Sequence, residues 1–387
     1  MRTFVRPSAL PSFFSVLCAA FLVASSAHAQ TDPPPEAPAP APAPAPLTQP
    51  PEGRAAPPTE SATRSPAKLR AGLEVFAEYI YRRTSGPGSS SSWFHAFDVP
   101  RVHGAIEGEY QDNVRGRLVV EAVRSASEGA LVGVAGDSLV VRIREAYGAY
   151  KPIEELEVSA GVIPTLTIPE LDGTWMLRAL APSGLEANGL GSPADLGAKV
   201  RLEAPARYGW AALAVLNGEG YAGRELNRGK SMEGAFEIHP LPHGALLPLG
   251  IFFSFNTGSV GTLGARSDRL TSGIVWQGVR LRAGAFATYG WGIAQNGTQH
   301  AALVTAFVRA EPIPRVLVGA RVDVAVRDVR TAPADAISTL WLTAGYRVAE
   351  PLEVFLAGTR TIPTTRANAE VPGSDAWALR VIGRVVF

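Results

Sequence analysis

Cysteine is almost missing from this 387-residue chain. The single one, Cys18, lies in an N-terminal segment with Arg2, Arg6, an apolar run from Phe13 to Val23 and the small-x-small triplet Ala27-His28-Ala29. Those are the parts of a secretory signal peptide over residues 1–29, cut before Gln30. Cutting there removes the cysteine, and with it disulfides, thiolate metal ligands and a cysteine nucleophile. Leu17 stands before Cys18 where a lipid-modification site needs a small residue. Long hydrophobic runs are missing too: the N-terminal one falls short of the roughly 20 residues of a spanning helix, and none of that kind follows Lys68. Helical membrane spans are therefore excluded. Excess charge of either sign is also missing. Residues 69–387 hold 31 basic (36 minus 5) and 31 acidic (35 minus 4) side chains, so no nucleic-acid partner is expected. No glycine-rich phosphate loop precedes a helical pattern, which leaves nucleotide hydrolysis without support.

What is abundant first is proline and alanine, from Thr31 to about Pro66, with an Ala-Pro repeat from Ala37 to Pro46. Such a segment cannot bury a core, so residues 30–67 read as a disordered, polyproline-II-like linker. At about 3.1 Å per residue it reaches on the order of 110 Å.

From 68 to 387 the pattern changes to short alternating segments, joined in turn by brief and longer polar connections. In the first, Leu69, Ala71, Leu73, Val75, Ala77, Tyr79 and Tyr81 share one face, and Arg70, Glu74, Glu78 and Arg82 the other. Further strands are expected near 97–110, 115–127, 139–150, 155–165, 194–204, 208–217, 231–239 and 248–257. The rest fall near 268–276, 279–291, 299–310, 314–327, 337–348, 352–361 and 376–387. That is about 16 strands, eight loops and seven turns: an all-β, antiparallel transmembrane β-barrel with both chain ends on the turn side. In 314–327, Val316, Val318, Ala320, Val322, Val324 and Val326 oppose Arg315, Arg321, Asp323 and Arg327. An arginine at the lipid midplane costs roughly 2–4 kcal/mol, so the charged face belongs to a watery lumen. Tyr79, Tyr81, Tyr147, Tyr150, Tyr208, Trp210, Tyr289, Trp291 and Trp377 sit at strand ends, where interfacial girdles lie.

The last strand, Trp377 to Phe387, ends on a phenylalanine that completes its apolar face. It resembles the C-terminal signature of bacterial outer-membrane barrels, which the barrel-assembly machinery reads, with outer-membrane lipid as the surroundings. A narrower resemblance lies at 100–221. The run Val141-Arg-Ile-Arg-Glu-Ala-Tyr-Gly-Ala-Tyr-Lys-Pro152, the strand Leu156 to Pro164, the Asp195-Leu-Gly start and Asn217-Gly-Glu-Gly-Tyr221 resemble the phosphate-selective porin O and P family. The resemblance implies a trimeric sixteen-stranded porin whose third loop enters the pore.

The longest loop, 166–193, carries Glu170, Asp172, Arg178 and Glu186 beside apolar Trp175, Met176, Leu177 and Leu180, and is the candidate constriction. Candidate pore-lining cations are Arg117, Arg142, Arg144, Lys199, Arg201, Arg280, Arg282, Arg321, Arg380 and Arg384. Glu74, Glu107 and Glu109 are expected in the same lumen, with Glu78, Glu121, Glu233 and Glu237. Balanced charge argues for braced Arg–Glu ladders and a general pore over strict phosphate selection.

Two decoys carry little. Gly136-Asp137-Ser138-Leu139 spells a serine-esterase motif, but none of the six histidines has an aspartate three residues before it. His239 and His243 flank a proline-rich turn and lack further metal ligands. The expectation is an outer-membrane porin for passive diffusion of small hydrophilic solutes, anions such as phosphate among them, with no reaction, metal or cofactor. The rival is a structural or adhesive barrel with a plugged lumen and a periplasmic tether.

Overall fold

The structure is a computed structural model that describes residues 67–85, 91–124, 139–223, 225–293, 296–330, 335–370 and 374–387. The expected signal peptide, the Pro/Ala linker up to residue 66 and the Gly136-Asp137-Ser138 motif lie outside the described residues.

The first strands are β1 (Lys68–Ser85), β2 (Ser91–Tyr110), β3 (Val114–Arg124), β4 (Leu139–Ile153), β5 (Leu156–Pro164) and β6 (Ala194–Glu203). Next come β7 (Gly209–Leu216), β8 (Ser231–Ile238), β9 (Leu249–Thr257) and a two-stranded loop ribbon, β10 (Ser259–Val260) with β11 (Ala265–Arg266). The series ends with β12 (Asp268–Gln277), β13 (Leu281–Ile293), β14 (Asn296–Ile313), β15 (Val316–Asp328), β16 (Asp335–Ala349), β17 (Leu352–Pro363) and β18 (Asp375–Val386). All but the ribbon form one closed antiparallel barrel of sixteen strands, each paired with its neighbour in sequence. β18 closes onto β1, and Phe387 completes the seam: Leu73 and Phe387 exchange backbone hydrogen bonds of 3.1 and 2.9 Å. Closure leaves no unpaired edge.

Alternation sets the two faces. On β15, Val318 and Val322 stand 37% and 38% exposed outside, while Arg321 and Asp323 are 2% and 3% exposed inside. Outside, at the loop ends of β1, β2 and β18, Tyr81, Trp93 and Trp377 form a ring cluster with centroids 5.4–5.7 Å apart. Tyr289 and Trp291 pair at 4.6 Å on β13. Two expected girdle residues belong inside instead. Trp210 registers opposite Glu237 and is buried beneath Arg201, and Tyr147 registers opposite Arg117. Their side-chain parity turns them into the lumen.

Among the register shifts of the barrel, two lie within the β1–β4 wall. Between Phe76/Arg101 and Glu78/Asp98, β2 carries one extra residue, and Pro100 sits in that break, where a missing N–H costs no ladder bond. On β4 the register jumps from Val119/Glu145 to Val120/Ile143, which leaves Arg144 as the extra residue.

Candidate functional site

The β5–β6 connection is folded into the barrel. A helix spans Thr167–Trp175, with Pro169 in its first turn, where a missing N–H is tolerated. It ends at Met176, whose φ of 53° is left-handed and whose N–H donates to Asp172 O at 2.8 Å. A short helical turn, Gly184–Ala187, follows, capped by Ser183. Leu166 supplies no side-chain cap to the first helix. Glu233 on β8 caps it from the wall, accepting from Leu166 N (2.9 Å), Thr167 N (3.0 Å) and Thr167 Oγ1 (2.7 Å). A carboxylate there also meets the positive end of the helix dipole.

One face of the loop is apolar. Ile168, Leu171, Trp175, Leu177, Leu180, Leu185 and Leu190 share a buried cluster with wall residues Phe252, Val275, Phe286, Leu303, Phe307 and Leu317. Trp175 meets Phe307 at 5.3 Å. The hydrophobic core of this barrel therefore lies inside it, between loop and wall, each large side chain contributing about 1.5–3 kcal/mol. Arginines pin the loop's carbonyls: Arg282 to Gly173 O (3.1 Å), Arg380 to Leu180 O (2.7 Å), Arg321 to Pro182 O (2.5 Å) and Arg269 to Leu190 O (3.1 Å). Three expected pore cations, Arg282, Arg321 and Arg380, thus anchor the 166–193 loop. Arg321 is also paired with Asp323, and Arg380 with Glu78.

The other loop face is charged. Arg178 pairs with Asp172 and with Glu186 (2.7 Å), and Arg101 stands 3.9 Å from Glu186. Burial pushes the Asp172 carboxyl above its ordinary value, against the pull of Arg178. Burial opposes the Arg178 charge, but Asp172 and Glu186 outweigh it and hold its pKa above the ordinary value. Glu170 points elsewhere. Gln277 Nε2 donates within 3.3 Å of both Glu170 and Glu237, away from the Arg178 face.

Across from Arg178 is a wall built by β1–β4 and β18. Its hub is Glu121, fully buried, which accepts from Arg142 Nε (2.6 Å), Arg144 Nη1 (3.5 Å) and the Tyr221 hydroxyl. His103 bridges Glu121 and Glu74 at 3.3 and 3.4 Å. Arg384 joins Glu74 (2.7 Å) to Glu353 (2.8 Å), and Arg117 joins Glu107 (2.8 Å) to Glu145 (3.0 Å). Between this wall and the loop is a space of about 430 Å³, lined among others by His103, Arg117, Arg144, Asp172, Arg178 and Arg384.

The remaining expected residues stand apart from that space. Lys199 donates to Pro164 O at 3.3 Å, and Arg201, lying over the Trp210 ring, pairs with Glu203 at 2.6 Å. Glu109 registers beside Lys68 and Arg115 near the turn end. Arg280 is a correction. It is exposed in the turn before β13, because that strand starts at Leu281 and not at 279. Arg101, His103, Glu145 and Tyr221 complete the wall; none was a pore-lining candidate, although Tyr221 ends the Asn217-Gly-Glu-Gly-Tyr221 motif. The β4 bulge brings Arg142, Arg144 and Glu145 to one side, where strict alternation puts Glu145 outside. Pro100 was the visible signal for the other break. Among the described residues no group of three or more His, Cys, Asp or Glu is placed to hold a metal ion.

No protein-family model matches the chain, and no curated protein matches it. Solved structures do. OmpF of Salmonella typhi, in complex with daunomycin, is 11% identical with a TM-score of 0.60, covering 82% of this chain and 97% of that one. The anion-selective porin of Comamonas acidovorans is 10% identical at 0.58, covering 83% and 100%. OmpT of Vibrio cholerae, in its trimer form, is 11% identical at 0.54, covering 84% and 100%. At such identities the likeness establishes the fold, and the chain has the sixteen-stranded barrel fold of the outer-membrane porins.

Proposed function

We propose that this barrel is an outer-membrane channel through which small hydrophilic solutes diffuse passively, without a chemical step. One observation carries the reading: a long loop folds inside the barrel and leaves a charge-lined space of about 430 Å³ against the opposite wall. A close-packed plug needs no such polar space. Around it six arginines (Arg101, Arg117, Arg142, Arg144, Arg178, Arg384) face six carboxylates (Glu74, Glu107, Glu121, Glu145, Asp172, Glu186). Most are paired, so the field on a passing ion is small and selectivity weak. Anions, phosphate among them, pass as a minor preference. The signal peptide, the periplasmic Pro/Ala tail and a homotrimer, the form in which OmpT was solved, belong to the same reading.

The test is conductance and reversal potential of the purified protein in planar bilayers under a salt gradient. Steady, weakly selective current is expected. The loop's extensive apolar packing favours the second reading, a structural barrel, which folded but silent protein would establish.

A further inference from the structure

The Asp195-Leu-Gly and Asn217-Gly-Glu-Gly-Tyr221 motifs are so far without a role, and they meet in space. Asp195 opens β6, and its carboxylate accepts from Gly218 N at 2.7 Å. Asn217 N and Tyr221 N donate to Leu196 O and Ala194 O, each at 2.9 Å. Gly218 and Gly220 take φ values of 106° and 77°, open to glycine and strained for other residues. A Cβ at either would also come 2.6 Å from a serine hydroxyl, Ser231 or Ser192. Glu219 fastens the other side, accepting from Gly261 N (2.7 Å) and Asn227 Nδ2 (3.0 Å).

Clamped to the start of β6 in this way, the β7–β8 loop turns Tyr221 along the inner wall toward β4. Its hydroxyl donates to Glu121 on β3 and accepts from Arg142 Nη2 on β4 at 2.7 Å. The Arg142 guanidinium lies over its ring at 4.7 Å. Only β5 separates β6, which holds the Tyr221 backbone, from β4, so the contact bridges the inner wall where β5 gives way to the 166–193 loop.

We propose that Tyr221 is a specificity-determining residue of the channel and that the Asn217–Tyr221 turn is a second constriction element beside the 166–193 loop. The inference rests on the channel reading. The phenol ring narrows the approach to the Glu121 hub and covers Arg142, so that solute size, more than charge, is selected there. Asp195 is a positioning residue that acts through the turn.

The experiment is single-channel conductance and polyethylene-glycol size exclusion for the full chain, with folding confirmed by resistance to unfolding in cold detergent. Tyr221→Ala is expected to raise conductance about two-fold and to admit larger polymers, whereas Tyr221→Phe, which keeps the ring, holds the wild-type size limit. Asp195→Asn leaves the ring in place but loosens its clamp, and is expected to add open-channel flicker. Wild-type conductance and size limit in Tyr221→Ala would overturn the proposal, as would a quiet, unchanged current in Asp195→Asn for the clamp. Current in the wild type with an unaltered Tyr221→Ala refutes this inference alone. A silent wild type refutes the channel reading and the inference with it.

Discussion

Glu233 holds the 166–193 loop at its root, and its removal gives a worked prediction. The side chain is 3% exposed and accepts three hydrogen bonds, two of them from loop backbone N–H groups. Glu233→Ala strands those donors in a buried site, at about 1–3 kcal/mol each, and removes a helix cap worth about 1 kcal/mol. Relief from burying a charge offsets part of this, which leaves a net loss on the order of 3 kcal/mol. At about 1.4 kcal/mol per factor of ten, the undocked fraction of the loop rises roughly a hundred-fold. The barrel itself does not depend on this contact, since every strand keeps both neighbours. Hydrogen exchange at Leu166 and Thr167 is expected to accelerate by that factor, single-channel current to flicker, and barrel melting to stay put. Glu233→Gln, which keeps an acceptor, is expected to show about a tenth of the acceleration. Unchanged exchange at Leu166 and Thr167 in Glu233→Ala refutes the cap. Loss of the whole barrel refutes the separation of loop from wall.

Other expectations follow from the same contacts. Trp175→Ala empties the centre of the loop–wall core beside Phe307 and should cost about 3–5 kcal/mol of loop docking, read as protease sensitivity within 166–193. Glu121→Gln removes the carboxylate shared by Arg142, Arg144 and His103, so the reversal potential should move toward anion preference. Arg321→Ala leaves Asp323 buried and unpaired and loses the tie to Pro182 O. A loss of about 3–5 kcal/mol is expected, measured as a lower melting midpoint. Burial, then the hydrogen bond to Glu121, pushes the Tyr221 phenol from an ordinary 10.0 up to about 12. With the folded value raised, its contribution is complete below pH 10 and lost as pH climbs toward 12. Tyrosinate absorbance should show a late-titrating phenol that Tyr221→Phe removes and Glu121→Gln shifts back down.

Most of the barrel was legible because a lipid-facing strand has little freedom: a charge on the wrong parity costs kilocalories, so alternation survives in the sequence. The 314–327 segment and β15 (Val316–Asp328) agree in span and in both faces. The turns at 111–114 and 349–351 also fall where polar punctuation put them. Arg117, Arg142, Arg144, Arg384, Glu74 and Glu107 were identifiable as wall charges by parity alone. Parity fails at a bulge, where one extra residue exchanges the faces beyond it. Arg101 and Glu145 were lost for that reason. Tyr221 was hidden differently. A loop side chain leaves no strand periodicity, and the glycines at 218 and 220 mark the turn that aims it.

The lumen also departs from the simple rule of apolar outside and polar inside, and the departure explains the charge balance. Phe252, Phe286, Phe307 and Leu317 point inward on β9, β13, β14 and β15, where the 166–193 loop covers them from water. The inner wall of these strands is thereby used as a core, and Arg282, Arg321 and Arg380 are committed to loop carbonyls. The charges left to meet solute are those of β1–β4 and β18 with the polar face of the loop, and these are mostly paired. Net charge near zero is therefore a property of the wall that solutes touch as well as of the whole chain. Mutating a loop-anchoring arginine should change gating before it changes selectivity, whereas a change at Glu121 or Arg144 should do the reverse. If Arg380→Gln moved the reversal potential while its current stayed quiet, this division of labour between the two parts of the lumen would be wrong.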